Sequence, residues 1–173
     1  MKPYVITILG THNVWDEKDT EKTVDLYLRM LVKIKPCIHF YVCRTGAFDR
    51  IVTSVIRRLR RECNLIHWKI FLLLPYPYAN VDSICAQYDK VILPKTEPPK
   101  SRQKAIAMRN KWAVKHADHV MFYTNFEDSP AYEAFEYAKE LEVDGFNFDF
   151  TLPEDDLQHD ALARRNRFFE EDL

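Results

Sequence analysis

Two kinds of block alternate along this chain. Short runs rich in β-branched and aromatic residues, over residues 4–9, 37–43, 69–74, 90–93 and 119–124, read as strands. Between them, apolar residues recur every three or four positions. Residues 18–35 set Val24, Leu28, Leu31 and Val32 among charges. Residues 48–63 turn Ile51, Val52, Val55, Ile56 and Leu59 inward and Arg50, Arg57, Arg58, Arg60 and Arg61 outward. That is the period of an amphipathic helix. Lys35-Pro36 closes the first helix, because the residue before proline is pushed out of the helical region. A short helix is expected over 81–88 and a long one over 101–117, with another over 131–141. Ser101 and Ser129 stand where N-caps belong, and Pro130 where the first helical residue does. Gly145 reads as the stop of the last helix.

Strands alternating with helices, most strands being continuously apolar, call for a parallel sheet buried on both faces. Right-handed crossovers make this an α/β, doubly wound layout, with a mostly parallel sheet of about five strands and helices on both faces. Phe146, Phe148 and Phe150 alternate with polar residues and suit an added edge strand. Ligands of such sheets bind beyond the carboxyl ends of the strands. The loops there are 10–13, 44–48, 75–80, 94–100 and 125–129. Residues 1–150 read as a single domain. Residues 151–173 form a charged tail or helix, compatible with a docked element, an oligomer contact or a frayed end.

Composition narrows the classes. With 173 residues, 47% of them hydrophobic and 29% charged, the chain can bury a substantial core. A net charge of −1 gives no global basic field, so nucleic acid is a disfavoured partner, although a local basic face is compatible with that total. The arginines of the second helix have no interleaved aromatics and read as a solvated face. Four cysteines without CxxC spacing read as free thiols of a reducing compartment. His116 and His119 lie three apart, but a helix end is expected between them. His116 then reads as a cation favoured by the helix dipole, and no metal site is expected. No cofactor is implied. The apolar runs are too short for a signal peptide or a membrane span, so the expected compartment is the cytoplasm.

The most informative stretch runs from Arg109 through the fifth strand to Glu133. An arginine suits phosphate or carboxylate, because its rigid fork of donors makes paired charge-assisted hydrogen bonds. A glutamate near a helix N-terminus can accept from a sugar hydroxyl or orient a water. Gly46, between a strand and a helix, permits a left-handed turn and close approach of a ligand. It reads equally well as a plain turn, with Asp49 a favourable acid in the helix's first turn. Thr11 and His12, after Gly10, face a ligand or simply close the first strand.

The order of these pieces resembles the SLOG superfamily, the Smf/DprA–LOG Rossmann-like group, and within it the YpsA-like branch. The resemblance rests on Ile8-Leu9-Gly10-Thr11-His12, Cys43-Arg44-Thr45-Gly46-Ala47-Phe48-Asp49, Leu74-Pro75-Tyr76-Pro77, Met108-Arg109-Asn110-Lys111-Trp112-Ala113-Val114 and Ala134-Phe135-Glu136-Tyr137-Ala138. It covers roughly residues 4–142. It implies a Rossmann-like sheet binding a nucleotide-like small molecule through Gly10, Thr11, His12, Arg44, Thr45, Gly46, Asp49, Arg109, Asn110, Ser129 and Glu133. The LOG-type phosphoribohydrolases of the group cleave N-glycosidic bonds of nucleoside monophosphates; Arg109 and Glu133 match their arginine and glutamate. The glycines of their PGGxGTxxE segment do not match. Phe126-Glu127-Asp128-Ser129-Pro130 stands there instead and puts negative charge where a phosphate would lie.

Three functions follow in order of preference. The first is a module binding a nucleotide or nucleotide-derived signal, sensory or regulatory. The second is an N-glycosidase with Arg109 and Glu133 catalytic. The third is a DNA-binding or scaffold protein. Homo-oligomerisation through Phe168-Phe169 is compatible with any of them.

Overall fold

In the computed structural model the chain runs β1 (Tyr4–Gly10), α1 (Glu17–Ile34), β2 (Ile38–Val42), α2 (Ala47–Glu62), β3 (Trp68–Leu73), α3 (Asp82–Cys85), β4 (Lys90–Ile92), α4 (Arg102–Lys115), β5 (His119–Tyr123), α5 (Pro130–Glu140) and β6 (Asp144–Asn147). The structure describes residues 2–44, 46–78, 82–95, 100–124 and 127–149. Thr45, Phe150 and the 151–173 tail lie outside them, and so does the Phe168-Phe169 pair.

All strand pairings are parallel, in the order β4-β3-β2-β1-β5-β6. The chain adds β2, β3 and β4 on one side of β1, then crosses back to lay β5 and β6 on the other. This reversal opens a topological switch between the carboxyl ends of β1 and β5, where Gly10 pairs with Tyr123. The fold is the expected doubly wound α/β, with six strands because Asp144–Asn147 pairs beside β5 as the edge.

Each sheet face is covered by its own pair of helices. On one side, Val24 and Leu28 of α1 and Val52, Val55, Ile56 and Leu59 of α2 pack on Ile6, Ile8 and Phe40. On the other, Ala113 and Val114 of α4 and Ala134 and Ala138 of α5 pack on Leu9, Val120 and Phe122. The alanines let α4 and α5 lie close over β1 and β5, which brings their side chains to the switch point. Ser101 and Ser129 cap as expected, their hydroxyls accepting from the Lys104 and Tyr132 amides at 3.2 and 3.1 Å.

Three local expectations are corrected. The helix over 81–88 is the single turn Asp82–Cys85. Gly145 does not end α5. Glu142 takes the left-handed conformation after that helix (φ 54°), and Gly145 sits inside β6. The arginines of α2 are not simply solvated. Arg50 pairs with Glu17 at 2.8 Å, Arg58 with Glu21 and Asp25 at 2.6 and 2.9 Å, and Arg60 with Asp89 at 2.8 Å. These ion pairs tie α2 to α1 and to the turn before β4. Among the described residues, no helix is long and apolar enough to cross a membrane, and all four cysteines are free thiols.

Candidate functional site

The loop after β1 is held from both sides. The Thr11 amide donates to the Tyr123 carbonyl at 3.0 Å, and the Ala47 amide to the His12 carbonyl at 3.1 Å. Gly46 makes the second contact feasible. A Cβ there would stand 2.4 Å from the Thr11 carbonyl oxygen and 2.9 Å from the His12 Cα. The glycine is therefore needed for close approach of the Thr11–His12 backbone. Its own backbone is extended (φ −172°), and among the described residues of this loop the left-handed one is Arg44 (φ 54°). Asp49, buried in the first turn of α2, accepts from the Cys43 amide at 3.0 Å and so fixes the end of β2.

A cleft of about 390 Å³ opens at the switch point, lined by Leu9, Gly10, Thr11, His12 and Asn13, by Ile106, Arg109 and Asn110 of α4, and by Asp128, Ser129, Pro130 and Ala131. Arg109 is only 2% exposed. Its Nη2 and Nε donate to Asn110 Oδ1 at 2.8 and 3.2 Å, and its Nη1 to the Cys43 carbonyl at 3.4 Å. All three contacts are to neutral oxygens, and no described carboxylate forms an ion pair with it. Asn110 in turn donates to the Pro130 carbonyl at 3.1 Å, locking α4 to the start of α5. Burial pushes the Cys43 thiol up to about 12, with Arg109 pulling the other way. That thiol stays protonated and is no nucleophile at neutral pH.

A second, wider groove of about 750 Å³ shares His12 with this cleft. It is bordered by Arg44, Gly46, Asp49, Arg50, Arg57, Arg61 and Tyr88. Arg44 is exposed, and Arg57 donates to the Gln87 carbonyl at 2.8 Å.

The structure gathers Gly10, Thr11, His12, Arg109, Asn110 and Ser129 around the cleft, and Arg44, Gly46 and Asp49 along the groove. Thr45 lies outside the described residues. Glu133 is not brought to Arg109. It lines a neighbouring hollow with Ser101, Lys104 and Glu127, and its carboxylate pairs with Lys111 at 2.7 Å. In the first turn of a helix, Glu133 occupies a position favourable for any acid. Sequence reasoning missed Asn13 and Ile106 as lining residues and read Asp128 only as negative charge where a phosphate would lie. It had flagged the loops that carry Asn13 and Asp128, whereas Ile106 is an apolar helical residue with no signal of its own.

No protein family model matches the chain, and no curated protein matches it. Solved structures do. DNA processing protein A from Helicobacter pylori, described for its unique single-stranded DNA binding mode, is 17% identical and superposes with a TM-score of 0.59, over 94% of this chain and 73% of that one. DNA processing protein A (DprA) from Streptococcus pneumoniae is 14% identical with a TM-score of 0.58, and the match spans 95% of this chain but only 56% of that protein. At these identities the likeness is one of fold. The expectation that nucleic acid is disfavoured is overturned, because a protein with this fold binds single-stranded DNA. The physical reason lies in placement. A net charge of −1 sums over the chain, whereas Arg44, Arg57 and Arg61 border one groove beside Arg50, and the acids Glu17, Glu21, Asp25 and Glu62 stand at the α1–α2 ion pairs, Glu17 on Arg50 itself. The Rossmann-like fold implied by the order of the motifs is the fold this chain has.

Proposed function

We propose that this chain binds single-stranded nucleic acid along the carboxyl edge of its sheet, seating one phosphate-bearing unit in the switch-point cleft. The observation that carries this reading is Arg109, a buried guanidinium whose described partners are neutral, in a cleft that shares His12 with an arginine-bordered groove. A cation held out of water without a carboxylate favours a ligand that brings the negative charge. The groove supplies further cations for a backbone, and the ligand of the Helicobacter pylori relative agrees in kind. A second reading, a free nucleotide or nucleotide-derived signal, is favoured by the cleft's volume, which falls in the usual range for small-molecule sites. N-glycosidase chemistry ranks below both, because Glu133 is spent on Lys111 and faces another hollow. Within the superfamily, the order of the motifs favours the YpsA-like branch.

The test is the affinity for a labelled thymidine oligomer as a function of salt. Each arginine that neutralises a phosphate contributes about −0.7 to the slope of log K against log salt for a single strand. Arg44→Ala and Arg61→Ala are each expected to flatten the slope by about that amount. Absence of binding at low salt by the folded protein sinks the nucleic-acid reading. Binding that leaves the slope unchanged in both variants removes the groove from it.

A further inference from the structure

The loop after β3 carries an aromatic pair that no core uses. The rings of Tyr76 and Tyr78 lie 4.9 Å apart at 37°. Neither belongs to the clusters that fill the two sides of the sheet, and Tyr78 is 40% exposed. The pair is nevertheless held firmly. Arg102 Nε donates to the Tyr76 oxygen at 3.0 Å, with its guanidinium 5.3 Å from the Tyr76 ring centre. The neighbouring Tyr78 hydroxyl, then Arg102, holds the Tyr76 phenol below its usual range. Arg102 begins α4, and Arg109 lies about two turns further along the same helix. The loop leaves the end of β3 in an all-parallel sheet, so the pair stands on the carboxyl edge, the edge on which the cleft opens.

Tyrosines held by their mutual ring contact and by an arginine bonded to one hydroxyl present ring faces at little entropic cost. Leaving such area in water forfeits burial that a folded chain would otherwise use. A planar π ligand recovers it, and an arginine over the ring adds stacking that tolerates any base. We propose that Tyr76, Tyr78 and Arg102 form an aromatic subsite that takes a nucleobase, on the same edge of the sheet as the cleft where Arg109 takes phosphate. This inference rests on the nucleic-acid reading and deepens it: the site reads the base face as well as the backbone. The nucleobase can come from a single strand or from a free nucleotide, and the two sources are separable.

The experiment measures anisotropy of a labelled thymidine oligomer and of the same oligomer lacking bases, with thymidine monophosphate as a third ligand. The proteins are the wild type, the Tyr76→Ala/Tyr78→Ala double variant and the Tyr76→Phe/Tyr78→Phe variant, each checked for folding by thermal unfolding. The double alanine variant is expected to bind the base-bearing oligomer about 5- to 150-fold more weakly. Its affinity for the abasic oligomer stays within about twofold of wild type, and the phenylalanine variant keeps most of the base-dependent affinity. Loss of affinity for both oligomers alike, or for neither, overturns the subsite. Oligomer binding without any dependence on these tyrosines leaves the nucleic-acid reading standing alone. Monophosphate binding that depends on the tyrosines, with no oligomer binding, supports the subsite and names a free nucleotide as its source. A wild type that binds none of the three overturns both.

Discussion

Arg109→Met separates a ligand-binding cation from a structural one, because the two roles predict opposite results. The guanidinium is almost fully buried and its described partners are two neutral oxygens. Taking a cation of this kind out of water costs several kcal/mol even after relaxation. A hydrogen bond to a charged group returns roughly 1.5–3 kcal/mol. Two of the contacts share Asn110 Oδ1 and the third is long at 3.4 Å, so about two bonds' worth is returned and the account comes out near zero. Methionine is long, flexible and apolar and fills most of the vacated space. Its cost is the two oxygens left without their donor, and the adjoining cleft admits water to at least one of them. Arg109→Met is therefore expected to unfold in urea within about 1 kcal/mol of wild type, while oligomer affinity falls by the 2–5 kcal/mol typical of truncating a buried charge partner, roughly 30-fold or more. A loss of more than about 3 kcal/mol in stability with affinity retained would refute the argument and make Arg109 a structural residue.

Burial holds His119 at about 4, against an opposing pull from Asp144. Unfolding lets this imidazole titrate at its ordinary value near 6.5, so the unfolded chain takes up the proton first as pH falls. Stability is full above pH 6.5 and drops by roughly 3 kcal/mol by pH 4; a His119→Phe variant should show a flatter urea-midpoint profile over that window, and an unchanged slope would count against the burial. Gly46→Ala must move the Thr11 carbonyl, 2.4 Å from the new methyl, and is expected to cost about 1–3 kcal/mol in chemical denaturation together with oligomer affinity. Glu133→Gln breaks only an ion pair that is half exposed on both sides. Its expected effect is under about 1 kcal/mol in stability and under about twofold in binding; a large loss of binding would return Glu133 to the site.

The fold was legible because its signals are local. Continuous apolar runs, helical periods and the Ser101 and Ser129-Pro130 caps lie within a few residues of what they specify. The switch point then follows from strand order. What escaped the sequence depends on partners far along the chain. Arg58 reads as a solvated side chain until α1 places Glu21 and Asp25 against it. Gly46 reads as a left-handed turn until the Thr11–His12 backbone arrives from the preceding loop. Arg109, in a helix crowded with Arg102, Lys104, Lys111 and Lys115, gives no hint that it alone is buried. Its burial comes from the close seat that alanines give α4 over β1.

Under the proposed function, the departure at residues 126–130 also bears on where a phosphate would sit. In the phosphoribohydrolase pattern, glycines before the last helix let backbone amides cradle a phosphate. Here the Ser129 hydroxyl already takes the Tyr132 amide, Pro130 offers no amide proton, and the Asp128 side of the cleft is acidic. An anion at the α5 end would meet a carboxylate and few free donors. At Arg109, which reaches the Cys43 carbonyl after β2, it would meet a cation, and the groove that shares His12 would add Arg44 and the α2 arginines. The negative end of a ligand is thus directed toward β2 and α2 and away from α5, which also turns it toward the side of the sheet that carries the Tyr76–Tyr78 pair. A strand lying along the carboxyl edge satisfies both demands at once, since its phosphates can follow the cations while its bases reach the rings.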